Sequence, residues 1–157
     1  MAAELRQQPL RSQPLLERLV DASGKEEERV AYHYDDPSPL FPGDVAVGEL
    51  SWVEDGAGEE HYKRDARGRL VELARKVDGK EYRVRYEHDD LDRLTQVTFP
   101  DDRAIDLHYN ARGLLESVPG VIRSIEYSER GLALRREHEN GAVSTASYDA
   151  MDRVASL

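Results

Sequence analysis

The chain contains no cysteine. That excludes disulfides, thiolate nucleophiles and cysteine-ligated metal sites. Aromatic residues other than tyrosine are scarce: two Phe and one Trp stand beside eight Tyr. No apolar run is long enough to span a bilayer as a helix. The opening residues MAAELRQQPLRSQP lack the apolar centre of a secretory signal. Basic residues are outnumbered, 22 against 32 acidic ones, which leaves a net charge of -10. Such a balance disfavours nucleic acid and anionic membranes as partners. Mean hydropathy is -0.72, so any core is thin.

What is present is alternation. Tyr82, Val84 and Tyr86 share one side of a run at 81–87, with Arg83, Arg85 and Glu87 on the other. The run 103–109 repeats the scheme with Ile105, Leu107 and Tyr109. Thr95, Val97 and Phe99 follow it more loosely, as do Arg123, Ile125 and Tyr127, and Ala142, Ala146 and Tyr148. A period of two with one wetter face predicts antiparallel strands. Asp55-Gly56, Asp78-Gly79 and Asn140-Gly141 read as hairpin turns between them, because Asp, Asn and Gly tolerate positive φ. Pro100-Asp101-Asp102 and Pro119-Gly120 fill the same role.

Two segments depart from this pattern. Ser12, Pro14 and the stripe Leu15, Leu16, Leu19 and Val20 predict a short helix that ends by Gly24. Residues 1–29 are therefore expected to be an N-terminal helix and linker, and 30–157 the β array. Pro37, Pro39 and Pro42 cannot donate ladder hydrogen bonds, so 35–47 is expected to be a proline-rich excursion anchored by Leu40 and Phe41.

A second class of turn recurs out of phase with the first. Asp65, Asp89, Asn110, Ser128 and Asp149 each begin it, and a short side-chain oxygen there can accept a backbone N–H two residues on. Gly68, Gly113 and Gly131 sit three residues later, where positive φ is expected; Asp92 and Asp152 fill the same slot. Leu70, Leu94, Leu115 and Val154 then resume a strand. A three-residue connection closed by a glycine bulge fits this spacing. The anchors Arg64, His88, Tyr109, Tyr127 and Tyr148 recur about every twenty residues, which predicts a structural repeat.

These residues resemble the Rhs/YD-repeat family, whose signature is Tyr-x-Tyr-Asp-x-x-Gly-Arg-Leu. Tyr32, Tyr34 and Asp35 carry its first half. Tyr62, Asp65, Gly68 and Leu70 carry the second, with Arg64 in the second tyrosine position. Tyr86, Asp89 and Leu94 match the next copy, with His88 and Asp92 as departures. Tyr109, Asn110 and Gly113, then Tyr127 and Gly131, match more loosely, and Tyr148, Asp149 and Asp152 close the series. The resemblance covers roughly 30–157. It implies an all-β antiparallel hairpin-repeat array that forms a curved or spiralling sheet. It also implies a structural shell or scaffold segment, one that helps to enclose or present a toxin or effector polypeptide. Bacterial Rhs toxins, toxin-complex proteins and the teneurin-like shell are the related cases. The expected partners are the remainder of such a shell or its cargo, and the expected setting is secreted or cell-surface. At 157 residues the chain is too short to close a shell, and it reads as a shell fragment, a degenerate gene remnant or a cut array.

No enzyme is expected. The five histidines (His33, His61, His88, His108 and His138) have no ligand spacing within a helix and no HExxH. Glu54, Asp55, Glu59 and Glu60 read as a solvated rim around a turn. No serine lies in a G-x-S-x-G elbow. The family's aspartate-based self-cleavage site has no match, so no catalytic residue, metal or cofactor is assigned. Arg69, Arg83, Arg85 and Arg93 are expected to pair with nearby acids across strands. The tyrosines Tyr82, Tyr86, Tyr109, Tyr127 and Tyr148 are expected to line and stack along one face. A second reading is a protein-binding module acting through exposed β edges or the N-terminal helix.

Overall fold

The computed structural model describes residues 15–20, 26–44 and 47–157. Among them every regular element is a β-strand, and every described strand pairing is antiparallel. The chain divides into two compact units, Met1–Val84 and Arg85–Leu157.

The first unit is a meander of β1 (Leu15–Val20), β2 (Glu26–Tyr34), β3 (Leu50–Asp55), β4 (Gly58–Arg64), β5 (Leu70–Val77) and the start of β6 (Lys80–His88). The expected N-terminal helix is not there. Residues 15–20 form β1 and pair with β2 from Leu15↔Tyr32 to Val20↔Glu26. The stripe of Leu15, Leu16, Leu19 and Val20 suits a helix, but one confined between Pro14 and Gly24 is too short to hold by itself in water. The open edge of β2 offers a full ladder instead. Glu26–Arg29, read as linker, belong to β2. Ser12, Pro14 and Gly24 lie outside the described residues.

Register aligns one row of side chains across four strands. His33 faces Trp52, Trp52 faces His61, and His61 faces Ala74. His61 and Ala74 are both fully buried. The other side carries Tyr32, Val53, Glu60 and Arg75 in register. Asp78 and Gly79, with φ of 49° and 74°, make the two-residue turn into β6. The Asp55-Gly56 turn differs from expectation. Its loop is Gly56-Ala57, and Asp55 Oδ1 accepts from the amides of Ala57 and Gly58, each at 2.8 Å. Positive φ falls on Gly58 instead of Gly56.

The second unit continues from Arg85 through β7 (Leu94–Thr98), β8 (Ala104–Asp106), β9 (His108–Tyr109), β10 (Leu115–Ser117) and β11 (Ile122–Tyr127). β12 (Ala133–His138), β13 (Val143–Thr145), β14 (Ser147–Tyr148) and β15 (Val154–Ser156) complete it. The run 103–109 splits at Leu107, whose N–H still donates to Thr95 O at 2.8 Å. Ala146 splits β13 from β14 in the same way, donating to Leu134 O at 2.9 Å. Tyr86, Val97 and Ile105 stand opposite one another on one face; Glu87, Gln96 and Asp106 do so on the other.

Only Ala31, Phe41, Ala74 and Val118 are buried apolar residues among those described. Tyr86, Val97, Ile105, Leu107, Tyr109, Ile125 and Tyr127 are half-buried. Side chains on this face screen one another, and no second layer of the unit covers them. Tyr82, placed on the tyrosine face by its alternation, is 47% exposed.

Candidate functional site

The repeated corner is one backbone structure used many times. At Asp65 the backbone N–H donates to Arg69 O at 2.9 Å, and Gly68 N returns to Asp65 O at 2.9 Å. The same two bonds close the corners at Asp89, Asn110, Ser128 and Asp149. They also close the turns at Phe99 and His138, which sequence reasoning placed in a different class. The third step takes positive φ in each: Gly68, Asp92, Asp102, Gly113, Gly131, Gly141 and Asp152.

Side chains lock the corner. Asp65 Oδ1 accepts from the Arg67 and Arg69 amides, and Oδ2 accepts from Arg69 Nε at 2.6 Å. Asp89 with Arg93, and Asp149 with Arg153, repeat the set. Asn110 keeps the amide bonds alone, and Ser128 keeps one of them. The Arg93 guanidinium beside Asp89 holds its carboxyl below the usual range, and Arg153 does the same for Asp149. For Asp65, partial desolvation pulls upward, but Arg69 and the two amides outweigh it. Arg69 and Arg93 thus each pair within their own corner. Of the arginines read as a polar face, Arg83 reaches across a strand, to Glu72 at 2.7 Å.

Each corner is closed by the same pairing. The residue before its first Asx or Ser faces the residue five places after that first position. The pairs are Arg64↔Leu70, His88↔Leu94, Tyr109↔Leu115, Tyr127↔Ala133 and Tyr148↔Val154. Tyr34↔Leu50 is a sixth. There Asp35 N donates to Glu49 O at 3.4 Å, the bond that opens every other corner. The proline-rich excursion is therefore an insertion inside the first corner. Asp35 itself takes positive φ, 62°, and its carboxylate accepts from Gly48 N.

The tyrosines in this slot do more than fill space. Tyr109 donates its hydroxyl to Leu94 O at 2.8 Å, Tyr127 to Leu115 O at 2.7 Å, and Tyr148 to Ala133 O at 2.9 Å. Every acceptor is the strand-resuming residue of the preceding corner. Arg112 adds a link from its corner to the carbonyls of Ser128 and Glu129, and Arg130 reaches Asp152 at 2.6 Å. The expected tyrosine stacking is replaced by these bonds; among the described residues the stacked rings are His33, Trp52 and His61. Tyr62 is half-buried and donates to Glu60.

Two copies lack the slot tyrosine. Arg64 Nη2 contacts Leu50 O at 3.5 Å, the same acceptor position at a longer distance. Arg64 Nε and His88 Nδ1 are both buried without a hydrogen-bond partner. Restoring tyrosine at 64 replaces a long bond and an orphan donor with one short bond. Arg64→Tyr is expected to raise stability by about 1 kcal/mol, read as a higher urea midpoint at unchanged slope. A lower midpoint would mean that the Arg64–Glu49 pair at 3.6 Å matters more.

The insertion folds back onto the row of His33, Trp52 and His61. Ser38, 1% exposed, has its Oγ 2.8 Å from His61 Nδ1. Phe41, also buried, lies under the cations of Lys63 and Arg83, at 5.8 and 5.5 Å from its ring centre. Asp44 Oδ2 accepts from Arg64 N at 2.8 Å. On the far side of the imidazole, Nε2 lies 3.2 Å from Glu59 Oε2, which Lys76 also contacts at 3.3 Å. Serine, histidine and carboxylate thus stand in the order of an acyl-transfer triad. Ser38 and His61 are both buried where the insertion meets the sheet, and their contact anchors it. Alternation alone carries no sign of this cluster. The signal that could have found it is parity, since His33, Trp52, His61 and Ala74 share a face once register is known. No group of residues with metal-ligand geometry occurs among the described residues, and none of their helices is long and apolar enough to cross a membrane.

A corner-linked strip of antiparallel hairpins defines the class, and the comparisons agree with it. Residues 64–104 match the family model described as RHS Repeat. Among solved structures it is similar to the crystal structure of TcdB2-TccC3, with a TM-score of 0.58 and 16% identity over 92% of this chain and 10% of that one. It is similar also to a Tc holotoxin pore of Photorhabdus luminescens carrying a TccC3 substitution. That match has a TM-score of 0.58 and 16% identity over 88% of this chain and 10% of the other. The chain thus spans about a tenth of the chains it matches. Among curated proteins none matches.

Proposed function

We propose that the chain is a wall segment of an Rhs-type shell, a curved or spiralling strip that helps to enclose or present a toxin or effector polypeptide. The observation that carries this reading is the corner closure used six times, from Tyr34↔Leu50 to Tyr148↔Val154, with tyrosine hydroxyls linking the last four corners. A device that joins each hairpin to the next builds a strip of any length. In the second unit Tyr86, Val97 and Ile105 share one face and Glu87, Gln96 and Asp106 the other, an apolar and a polar side that suit a wall between two spaces. Similarity to the Tc-toxin structures supports the same role at the level of fold. In this reading the segment works as a surface; the serine–histidine–carboxylate cluster of Ser38, His61 and Glu59 has both its serine and its histidine buried.

Electron microscopy of the uninterrupted reading frame that contains this chain tests the proposal. The expected result is a hollow particle with this strip in its wall and protease-protected polypeptide inside. A filled globular particle, with the face of Tyr86, Val97 and Ile105 packed on another domain, would overturn it.

A further inference from the structure

Residues 38–44 are fastened to the sheet at three points spaced three residues apart: Ser38, Phe41 and Asp44. Ser38 Oγ accepts from Leu40 N at 3.3 Å and lies 2.8 Å from His61 Nδ1. With its ring hydrogen on Nε2, neutral His61 accepts from the Ser38 hydroxyl and donates to Glu59. His61 is fully buried. A proton added at Nδ1 would reverse the Ser38 bond and place a charge beneath the insertion, where burial makes it costly. Trp52 stacks on His61 with ring centres 5.7 Å apart, and His33 stacks on the other side of Trp52 at 3.6 Å.

We propose that this row is a pH-operated latch: neutral His61 holds residues 38–44 on the sheet, and proton uptake by His61 releases them. This goes beyond the shell reading and does not depend on it.

The charged surroundings set the direction. Glu59 and Lys63 lie on β4, Lys76 and Glu72 on β5, and Glu81 and Arg83 on β6. Glu54 on β3 stands opposite Glu59, His33 lies on β2, and Asp36 and Asp44 lie on the insertion. Burial pushes the His61 pKa down; its bond to Glu59 pulls the other way without winning, and Glu81 adds to that pull. Burial lowers His33 as well, against Glu54 and Asp36. A histidine with a depressed docked-state pKa takes up its proton more readily when released. Docking is therefore at full strength above the ordinary histidine value and weakens as pH falls through it.

Amide hydrogen exchange at Leu40, Phe41 and Asp44, corrected for the chemical rate at each pH, reads the latch directly. In the native protein, protection is expected to fall by up to about tenfold per pH unit as pH drops below about 6.5. In His61→Gln, whose amide can accept from Ser38 and donate to Glu59 without titrating, protection is expected to stay level. Ser38→Ala is expected to lower protection at every pH. Constant protection in the native protein, or an equal fall in His61→Gln, would overturn the proposal. Should His61→Gln fail to fold, the ring-proton titration of His61 in the native protein decides. A pKa at or above the ordinary value would overturn the latch, and a depressed one would support it.

Discussion

Gly58→Ala is expected to destabilise the protein by about 3 kcal/mol, the largest effect of an added methyl group at any described glycine. A Cβ on Gly58 would lie 2.0 Å from the backbone oxygen of Lys76 and 3.1 Å from its carbonyl carbon. The obstacle is the backbone of β5, which cannot turn aside as a side chain could. Gly58 also takes φ of 153°, a region that residues with a Cβ rarely adopt. Relief would require β4 to move away from β5 where Glu59 faces Lys76. Two residues further along β4 stands His61, so the damage would extend to the anchor of the insertion. Gly56→Ala is the control, because nothing lies within 4 Å of its added carbon. It is expected to change stability by less than about 0.5 kcal/mol. Urea unfolding of both variants checks the pair. Equal midpoints would show that β4 and β5 do not approach this closely.

Sequence showed most clearly what is local. The corners at Asp65, Asp89, Asn110 and Asp149 depend on a carboxylate or amide reaching amides two and four residues on, and on a residue that tolerates positive φ. Both requirements are written within five consecutive residues. The strands of 81–87 and 94–99 were legible for the same reason. The N-terminal segment was misread because Leu15, Leu16, Leu19 and Val20 satisfy a helical stripe and a strand alike. What decided between them was the open edge of β2, which is invisible in that segment. The insertion was legible as an interruption but not as a part of the first corner. Its closing pair, Tyr34 and Leu50, is separated by the very residues it encloses. The burial of Ser38 and His61 was equally hidden. It needs the register of β2, β3, β4 and β5 at once, and a polar residue in an alternating strand gives no sign of which face will be covered. The tyrosine slot was seen as apolar surface; its second role depends on a carbonyl about fifteen residues earlier, set free by the bulge of another corner.

That second role yields the other large effect, at Tyr109. Its hydroxyl donates to Leu94 O at 2.8 Å, and its ring lies under the Arg93 guanidinium, 4.6 Å from carbon to centroid. Tyr109→Phe removes the hydroxyl bond alone and is expected to cost about 1 kcal/mol. Tyr109→Ala also removes a half-buried ring and the cation–π contact. Its expected cost is about 3 kcal/mol, from roughly 1–2 for the ring and up to about 1 for the cation. The two contributions separate in a double-mutant cycle with Arg93→Ala. The Arg93 guanidinium also holds Asp89, and that loss cancels in the cycle, leaving a coupling of about 0.5–1 kcal/mol between ring and guanidinium. Asn110 makes no charged pair in its own corner, so Tyr109 and Arg93 are what join the corners at 89 and 110. If Tyr109→Phe leaves the urea midpoint unmoved and the cycle shows no coupling, the hairpins are held by their ladders alone. If both effects appear, the tyrosine conserves register from one hairpin to the next, because a slip of a single residue would carry its hydroxyl away from Leu94 O and its ring to the opposite face.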